Sequence, residues 1–219
     1  MSGLSIVTPP TIEPLTNAET INYLRLDSGV DNMLVESLIT TARTWVEDYT
    51  KRTLINTTLK LSLDSVYGNQ IPMYDGVYTA PYKSSSLNFI ELPQSPVSSV
   101  TFVKYYNDSD TESTWATSNY YVDLVRHPAR IVLRDGGSFP TDLRKANGLE
   151  VTYVAGYGAN RADVPEPIRT AMLQYILYLY EHRGDFERFP PPEPPKILTS
   201  LLLPFTILRY GVSSFGGDY

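Results

Sequence analysis

The chain has 219 residues, of which 42% are hydrophobic and 19% are charged, a composition typical of folded globular proteins and not of disordered ones. Its 18 basic and 24 acidic residues give a net charge of -6, which disfavours tight binding to DNA or RNA. The absence of cysteine excludes disulfides, thiolate nucleophiles and cysteine-ligated zinc.

The N-terminal region is predicted to be an extended arm followed by a short helix. Residues 1–14 contain three prolines, which remove amide donors and block helix formation. Thr16 and Glu19 then fit a capping box, in which each side chain accepts a hydrogen bond from the backbone amide of the other residue. We expect the helix that starts there to run to about Leu24.

A second helix is predicted from Asn32 to Thr50. Apolar residues recur on one face of this stretch at helical spacing, and charged residues occupy the opposite face. Asp31 is the expected N-cap, because its carboxylate suits the positive end of the helix dipole.

The repeat then changes to the two-residue alternation of a β-strand, beginning at Leu59, Leu61 and Leu63. Further short strands follow, separated by turn residues and without helices between them, which predicts an antiparallel sandwich or small barrel. These strands are predicted at Leu87–Leu92, Val97–Tyr106, Tyr120–Val125, Arg130–Arg134 and Leu149–Ala155.

Helical spacing returns at Asp163 and continues to about Gly184, a good C-cap. The apolar stripe of this helix is so wide that we expect burial on most sides, within the subunit or between subunits. The residues predicted to form this core or oligomer contact are Ile168, Met172, Tyr175, Ile176, Leu179 and Tyr180.

The C-terminal region combines a stiff spacer with an apolar segment. Five prolines between Pro190 and Pro195 predict an extended rod, which would hold the following residues away from the core of their own chain. An apolar peptide presented in this way is predicted to bind a partner or a neighbouring subunit. Its contact residues are predicted to be Ile197, Leu198, Leu201, Leu202, Leu203, Phe205 and Leu208.

Together these elements predict an α+β fold: a small helical bundle with an inserted antiparallel β-sandwich or barrel-like domain and extended N- and C-terminal arms. The helical domain comprises residues 15–53 and 161–189, and the inserted β domain comprises residues 54–160. The arms are residues 1–14 and residues 190–219.

Little in the sequence points to catalysis, to a cofactor or to a metal, and we expect none of them. His127 precedes a proline in a predicted loop, and His182 lies at the end of the last long helix, where a cation favours the dipole. No hydrolase, zinc-protease or nucleotide-binding motif occurs. A hydrolase with paired carboxylates such as Asp64 and Glu91 is a weaker alternative, because nothing orients these two residues.

Four segments resemble the phage head-tail connector proteins, also called adaptor or head-completion proteins, and in particular their longer members with an inserted β domain. The resemblance spans roughly residues 15–210, with the centre matched by pattern more than by letter. The segments are LTNAETINYLRLD at 15–27, LITTARTWVEDYTKR at 38–52, LEVTYVAGYG at 149–158 with VPEPIR at 164–169, and LLLPF at 201–205.

The resemblance implies a ring of subunits below the portal of the virion, twelvefold like the portal and assembled in the host cytoplasm. The implied partners are neighbouring copies, the portal protein and a tail-side terminator or tail tube protein. Packaged DNA would pass through the ring without specific binding, which agrees with the acidic balance of the chain. No stretch approaches the ~18 consecutive apolar residues that span a bilayer, so no membrane is expected.

The 17 tyrosines leave one further alternative open, a carbohydrate-binding β module of a phage tail or cell-surface protein. In that interpretation the aromatic stretch from Tyr67 to Tyr82 would be the sugar platform. Tyrosine is equally common in subunit interfaces, and without basic residues among these rings we favour the interface.

Overall fold

The computed structural model describes residues 2–27, 29, 31–65, 89–183 and 195–207. This part of the chain is a mixed α+β fold with four α-helices and two antiparallel sheets. The helices are α1 (Asn17–Leu24), α2 (Asn32–Thr50), α3 (Glu166–Glu181) and α4 (Lys196–Leu202). The strands are β1 (Ser2–Thr8), β2 (Thr57–Leu63), β3 (Phe89–Glu91), β4 (Val97–Tyr106), β5 (Glu112–Thr114), β6 (Tyr120–Asp123), β7 (Arg130–Leu133) and β8 (Leu149–Ala155).

Local signals in the sequence place the first two helices correctly. The capping box of α1 is confirmed: the Glu19 amide donates to the Thr16 hydroxyl at 3.0 Å, and the Thr16 amide donates to the Glu19 carboxylate at 3.5 Å. The predicted bounds of α2 are also confirmed. Helix α2 buries one apolar face, as its spacing requires, whereas the apolar Ile21 and Leu24 of α1 are only partly buried against the helical core.

Asp31 is the N-cap residue of α2, as predicted, but its side chain does not cap the helix. The backbone of Asp31 is left-handed, with φ 54°, and its side chain makes no capping hydrogen bond. Its carboxylate instead accepts from the Tyr180 hydroxyl at 2.8 Å and from Arg183 at 3.2 Å. A charged partner brought in by the tertiary fold has therefore replaced the local cap.

The last long helix starts three residues later than predicted, at Glu166 instead of Asp163. Residues 161–163 form a short 3₁₀ helix, and the Asp163 carboxylate accepts from the Asn160 amide at 2.8 Å. The helix ends at Glu181 with His182 as its C-cap, and the predicted C-cap Gly184 lies outside the described residues.

The two sheets have the strand orders β1-β2-β8-β4-β5 and β3-β7-β6. Strands β4 and β8 have their predicted bounds, whereas β6 ends two residues and β7 one residue before the predicted ends. The barrel alternative is wrong, because no sheet closes among the described residues. Buried side chains from both sheets, among them Leu61, Ile131 and Val151, form one hydrophobic cluster.

Two strands were not predicted. Strand β1 lies in the predicted N-terminal arm and pairs antiparallel with β2, from Ser2 opposite Leu63 to Thr8 opposite Thr58. The N-terminal segment therefore finds a pairing partner within its own chain. Strand β5 is three residues long and pairs only with the end of β4, at Lys104 to Tyr106.

The helices enclose a second hydrophobic core, separate from that of the sheets. It contains Val35, Ile39 and Val46 from α2 together with Ile168 and Met172 from α3, all at most 2% exposed. None of the helices in the described part of the chain is long and apolar enough to cross a bilayer. The division into a helical domain and an inserted β domain stays a prediction.

Candidate assembly surfaces

Helix α3 divides its predicted contact residues between two environments. Ile168, Met172 and Ile176 are fully buried in the helical core of the same chain. The other three, Tyr175, Leu179 and Tyr180, are half-buried. The wide apolar stripe is thus satisfied on one side by the subunit itself, and its edge remains partly accessible.

The apolar C-terminal segment is not held away from its own core, so this expectation is wrong. Leu198 and Leu202 are four residues apart on α4, so they share a face, and both are fully buried. Leu201 and Phe205 are partly buried against the same cluster.

Two hydrogen bonds secure the end of this segment to the end of α2 and to Arg52 just after it. The Arg52 side chain donates to the carbonyl of Phe205, and the Ile207 amide donates to the carbonyl of Thr50 at 3.1 Å. The chain therefore returns to the helical core after residue 195. Leu208 and the prolines from 190 to 194 lie outside the described residues.

The opposite side of α4 and of the turn after it is exposed. Ile197 is 57% exposed and Leu203 is 56% exposed, although both are large apolar residues. Of the seven predicted contact residues, these two offer the most apolar surface to a partner among those described. Leu198 and Leu202 act differently, by holding the segment in place.

A row of stacked aromatic rings crosses the surface between α2 and α3, and it was not foreseen. Successive ring centroids are 5.5, 4.4, 6.5 and 4.4 Å apart. The sequence signal for it is the spacing of three or four residues within each helix, which places the rings on one face. The row consists of Tyr49, Trp45, Tyr175, Tyr178 and His182.

Beside this row lies an open groove of about 390 Å³, whose lining includes Trp45, Tyr175 and three threonines of α2. Two of the threonine hydroxyls are used within α2: Thr41 donates to the Ser37 carbonyl at 2.8 Å and Thr44 donates to the Thr40 carbonyl at 2.9 Å. The Thr40 hydroxyl donates to the Glu13 carboxylate at 3.1 Å. The one carboxylate in this lining, Asp48, accepts from Lys51 at 2.7 Å. A surface of rings, satisfied hydroxyls and a paired carboxylate suits contact with another protein better than acid–base chemistry.

A partly buried ion network connects the N-terminal arm, α2 and the start of the β region. Arg43 donates to Glu13 at 2.8 Å and to Glu47 at 2.9 Å, and the Leu54 amide donates to the other Glu47 oxygen at 2.8 Å. Burial raises the pKa of Glu47, and the hydrogen bonds from Leu54 and Arg43 offset only part of that effect. Because both oxygens are engaged, this carboxylate acts as a structural link.

The residues weighed for catalysis do not converge. The Asp64 carboxylate accepts from the Asn147 amide at 2.9 Å at the surface, and His127 lies exposed in a loop. The His182 ring contacts the Tyr178 carbonyl at 2.8 Å. The described residues contain no group of three or more His, Cys, Asp or Glu side chains that could hold a metal. The tyrosine stretch 67–82 lies outside the described residues.

Solved structures with a similar fold come from particles called gene transfer agents (GTA). No protein-family profile and no curated protein matches the sequence. A chain from the neck of an empty GTA particle, computed with C6 symmetry, matches with a TM-score of 0.71 and 22% identity. A chain from the virion of a native GTA particle matches with a TM-score of 0.68 and 19% identity. A chain from the neck of a native GTA particle, computed with C12 symmetry, matches with a TM-score of 0.68 and 21% identity.

Each of these matches covers 98% of this chain and 98% of the matched chain. The likeness is therefore one of whole architecture and does not rest on a shared fragment. At this level of sequence identity it shows that this chain has the same fold as those chains.

Proposed function

We propose that this protein is a structural subunit of the neck of a phage-like particle, where it helps to join the head to the tail. The observation that carries the proposal is the fold match to a GTA neck chain, with a TM-score of 0.71 over 98% of both chains. The independent resemblance of four sequence segments to head-tail connector proteins supports the same conclusion.

In this proposal the subunits form a ring below the portal, without enzymatic activity, and DNA passes through the channel of the ring. Support for a ring comes from the symmetry of the similar neck structures, which were computed with C6 and with C12 symmetry. A twelvefold ring would bind the portal on one side and a terminator or tail tube protein on the other. The net charge of -6 agrees with DNA passage without specific binding.

The exposed side of α4 is the proposed contact with the portal or with a neighbouring subunit. Ile197 and Leu203 supply its apolar surface, and the buried Leu198 and Leu202 keep it in position. An exposed apolar patch supported by a packed underside has the properties of an interface core. The aromatic row between α2 and α3 offers a second candidate contact surface.

The test is light scattering and negative-stain microscopy of the purified protein, alone and mixed with its portal protein. We expect rings, either alone or on the portal. A protein that stays monomeric and does not bind the portal would contradict the proposal. A monomer that binds glycans would favour the carbohydrate-binding alternative.

A double variant, Ile197→Asp with Leu203→Asp, locates the contact. Both side chains are more than half exposed, so the variant should lose no more than about 2 kcal/mol of unfolding free energy and should lose portal docking or ring formation. Val125→Asp is the matched control, since Val125 is 91% exposed on a loop of the β region. If the double variant docked as well as the parent, α4 would not be part of the interface.

A further inference from the structure

The five-stranded sheet has two open edges in the described part of the chain. At one end, β1 pairs only with β2. At the other end, β5 covers β4 only at Lys104 to Tyr106, which leaves residues 97–102 of β4 without a strand on their outer side. Open edges carry rows of backbone donors and acceptors that can pair with another strand.

Both open edges lack the charges that usually protect such edges. The β1 sequence is SGLSIVT, and the free part of β4 reads VSSVTF, so neither contains a charged residue or a proline. Lysines and prolines on an edge normally prevent pairing between molecules. The composition of these two edges therefore permits pairing with a matched strand.

Strand β1 also carries apolar side chains on the core side of the sheet that stay exposed among the described residues. Leu4 lies opposite Leu61, and Ile6 lies opposite Leu59, so each pair projects from the same face. Leu61 and Leu59 are 1% and 3% exposed, whereas Leu4 is 37% and Ile6 is 64% exposed. The core face of the sheet thus continues onto β1 beyond the cover that the described residues provide.

Strand direction makes the two edges compatible with each other. The order β1-β2-β8-β4 contains only antiparallel pairs, so β1 and β4 run in opposite directions. A rotation about an axis along the strands leaves strand direction unchanged from copy to copy. In such a ring, β4 of one copy and β1 of the next would be antiparallel, like every other pair in the sheet.

We propose that β1 of one copy adds to the free edge of β4 of the neighbouring copy, which continues the sheet around the ring. The inference rests on the proposed function, because it requires a ring of identical subunits. The contact is heterologous, joining two different surfaces, and such contacts close into rings. Backbone hydrogen bonds would supply the affinity, and burial of Leu4 and Ile6 would add to it.

Irregularities in both strands restrict what can pair there. The pairing of β4 with β8 shifts register between Val97 and Ser99 and again between Val100 and Phe102. The pairing of β1 with β2 shifts between Ile6 and Thr8. Bulges increase local twist, so a flat strand from an unrelated protein fits these edges poorly. A second copy of the same chain is the occupant that this geometry favours.

Hydrogen exchange measured on monomer and on assembled ring tests the proposal. The outward-facing amides of β1 and of residues 97–102, which point away from β2 and β8, should gain protection of about tenfold or more on assembly, because these solvent-exposed groups become paired. The exposed loop around Val125 is the control and should be unchanged. A ring with neither edge protected would overturn this inference and leave the proposed function intact. Failure to form any ring would overturn both.

Cysteine pairs then identify the neighbours, which the absence of natural cysteine makes possible. Ser5 and Ser99 both project from the face of the sheet opposite the core, since their partners Lys60 and Val154 do so. Oxidation of Ser5→Cys with Ser99→Cys, or of Gly3→Cys with Ser99→Cys, should produce a ladder of linked subunits in at least one case.

The single variants separate the two kinds of contact. Ser5→Cys alone should form no disulfide-linked dimer after oxidation of the ring. Linked dimers of it would indicate twofold pairing of β1 with itself and overturn the proposal. Ile6→Lys should weaken subunit association by about tenfold or more with unchanged monomer stability, because Ile6 is 64% exposed in the monomer. Undiminished association of Ile6→Lys would also overturn it.

Discussion

The docking of α4 onto its own subunit leads to a quantitative prediction about two adjacent residues. Leu198 is fully buried in the helical core, whereas Ile197 is 57% exposed. Replacing a buried leucine by alanine costs about 2–5 kcal/mol, depending on how far the surroundings collapse. Because α4 is a short helix near the end of the described chain, it can readjust, and we expect Leu198→Ala to cost about 2–3 kcal/mol.

Ile197→Ala removes a similar number of carbon atoms from a position that is mostly in water. Its expected cost is no more than about 1 kcal/mol, because little apolar surface is withdrawn from solvent there in the folded state. The two variants thus separate the two proposed roles of the segment. Leu198→Ala should lower stability, and Ile197→Ala should weaken docking to the partner.

Equilibrium unfolding in urea at low protein concentration measures the difference, since association would otherwise add to the apparent stability. Hydrogen exchange of the α4 amides shows whether the helix detaches before the rest of the subunit unfolds. If Leu198→Ala changed neither the unfolding free energy by more than about 0.5 kcal/mol nor the exchange of α4, the buried position of Leu198 would be refuted.

Two further substitutions test the contacts around α2. Glu47→Ala should lower the unfolding free energy in urea by about 2–3 kcal/mol, because it removes the acceptor of the Leu54 amide and one partner of Arg43. Glu47→Gln can still accept from the Leu54 amide, so it should lower the unfolding free energy by less. Equal costs would contradict the role of that amide. Arg52→Ala should lose the contact with the Phe205 carbonyl, lower stability by about 1–2 kcal/mol and speed proteolysis after residue 202; unchanged proteolysis would argue against it.

The features that could be read from the sequence are those governed by neighbours along the chain. The α1 cap depends on Thr16 and Glu19, three residues apart, and the bounds of α2 follow from an apolar repeat within 19 residues. Strands β4 and β8 are bounded by turn residues that interrupt them on either side. In each case the deciding hydrogen bonds or side-chain pattern lie within a few residues, so local chemistry is sufficient.

The candidate assembly surfaces depend instead on contacts between residues far apart in the chain. Leu198 and Leu202 are apolar in any interpretation, and their burial comes from the packing of α4 against α3 in the helical core. Likewise, nothing in the sequence around Asp31 indicates that it pairs with Arg183, which lies 152 residues away. Ile6 is exposed and Leu59 is buried, although the two apolar residues lie opposite each other on one face of the sheet. An apolar residue carries the same hydrophobicity whether its own chain or a neighbour covers it, and only the three-dimensional packing distinguishes the two.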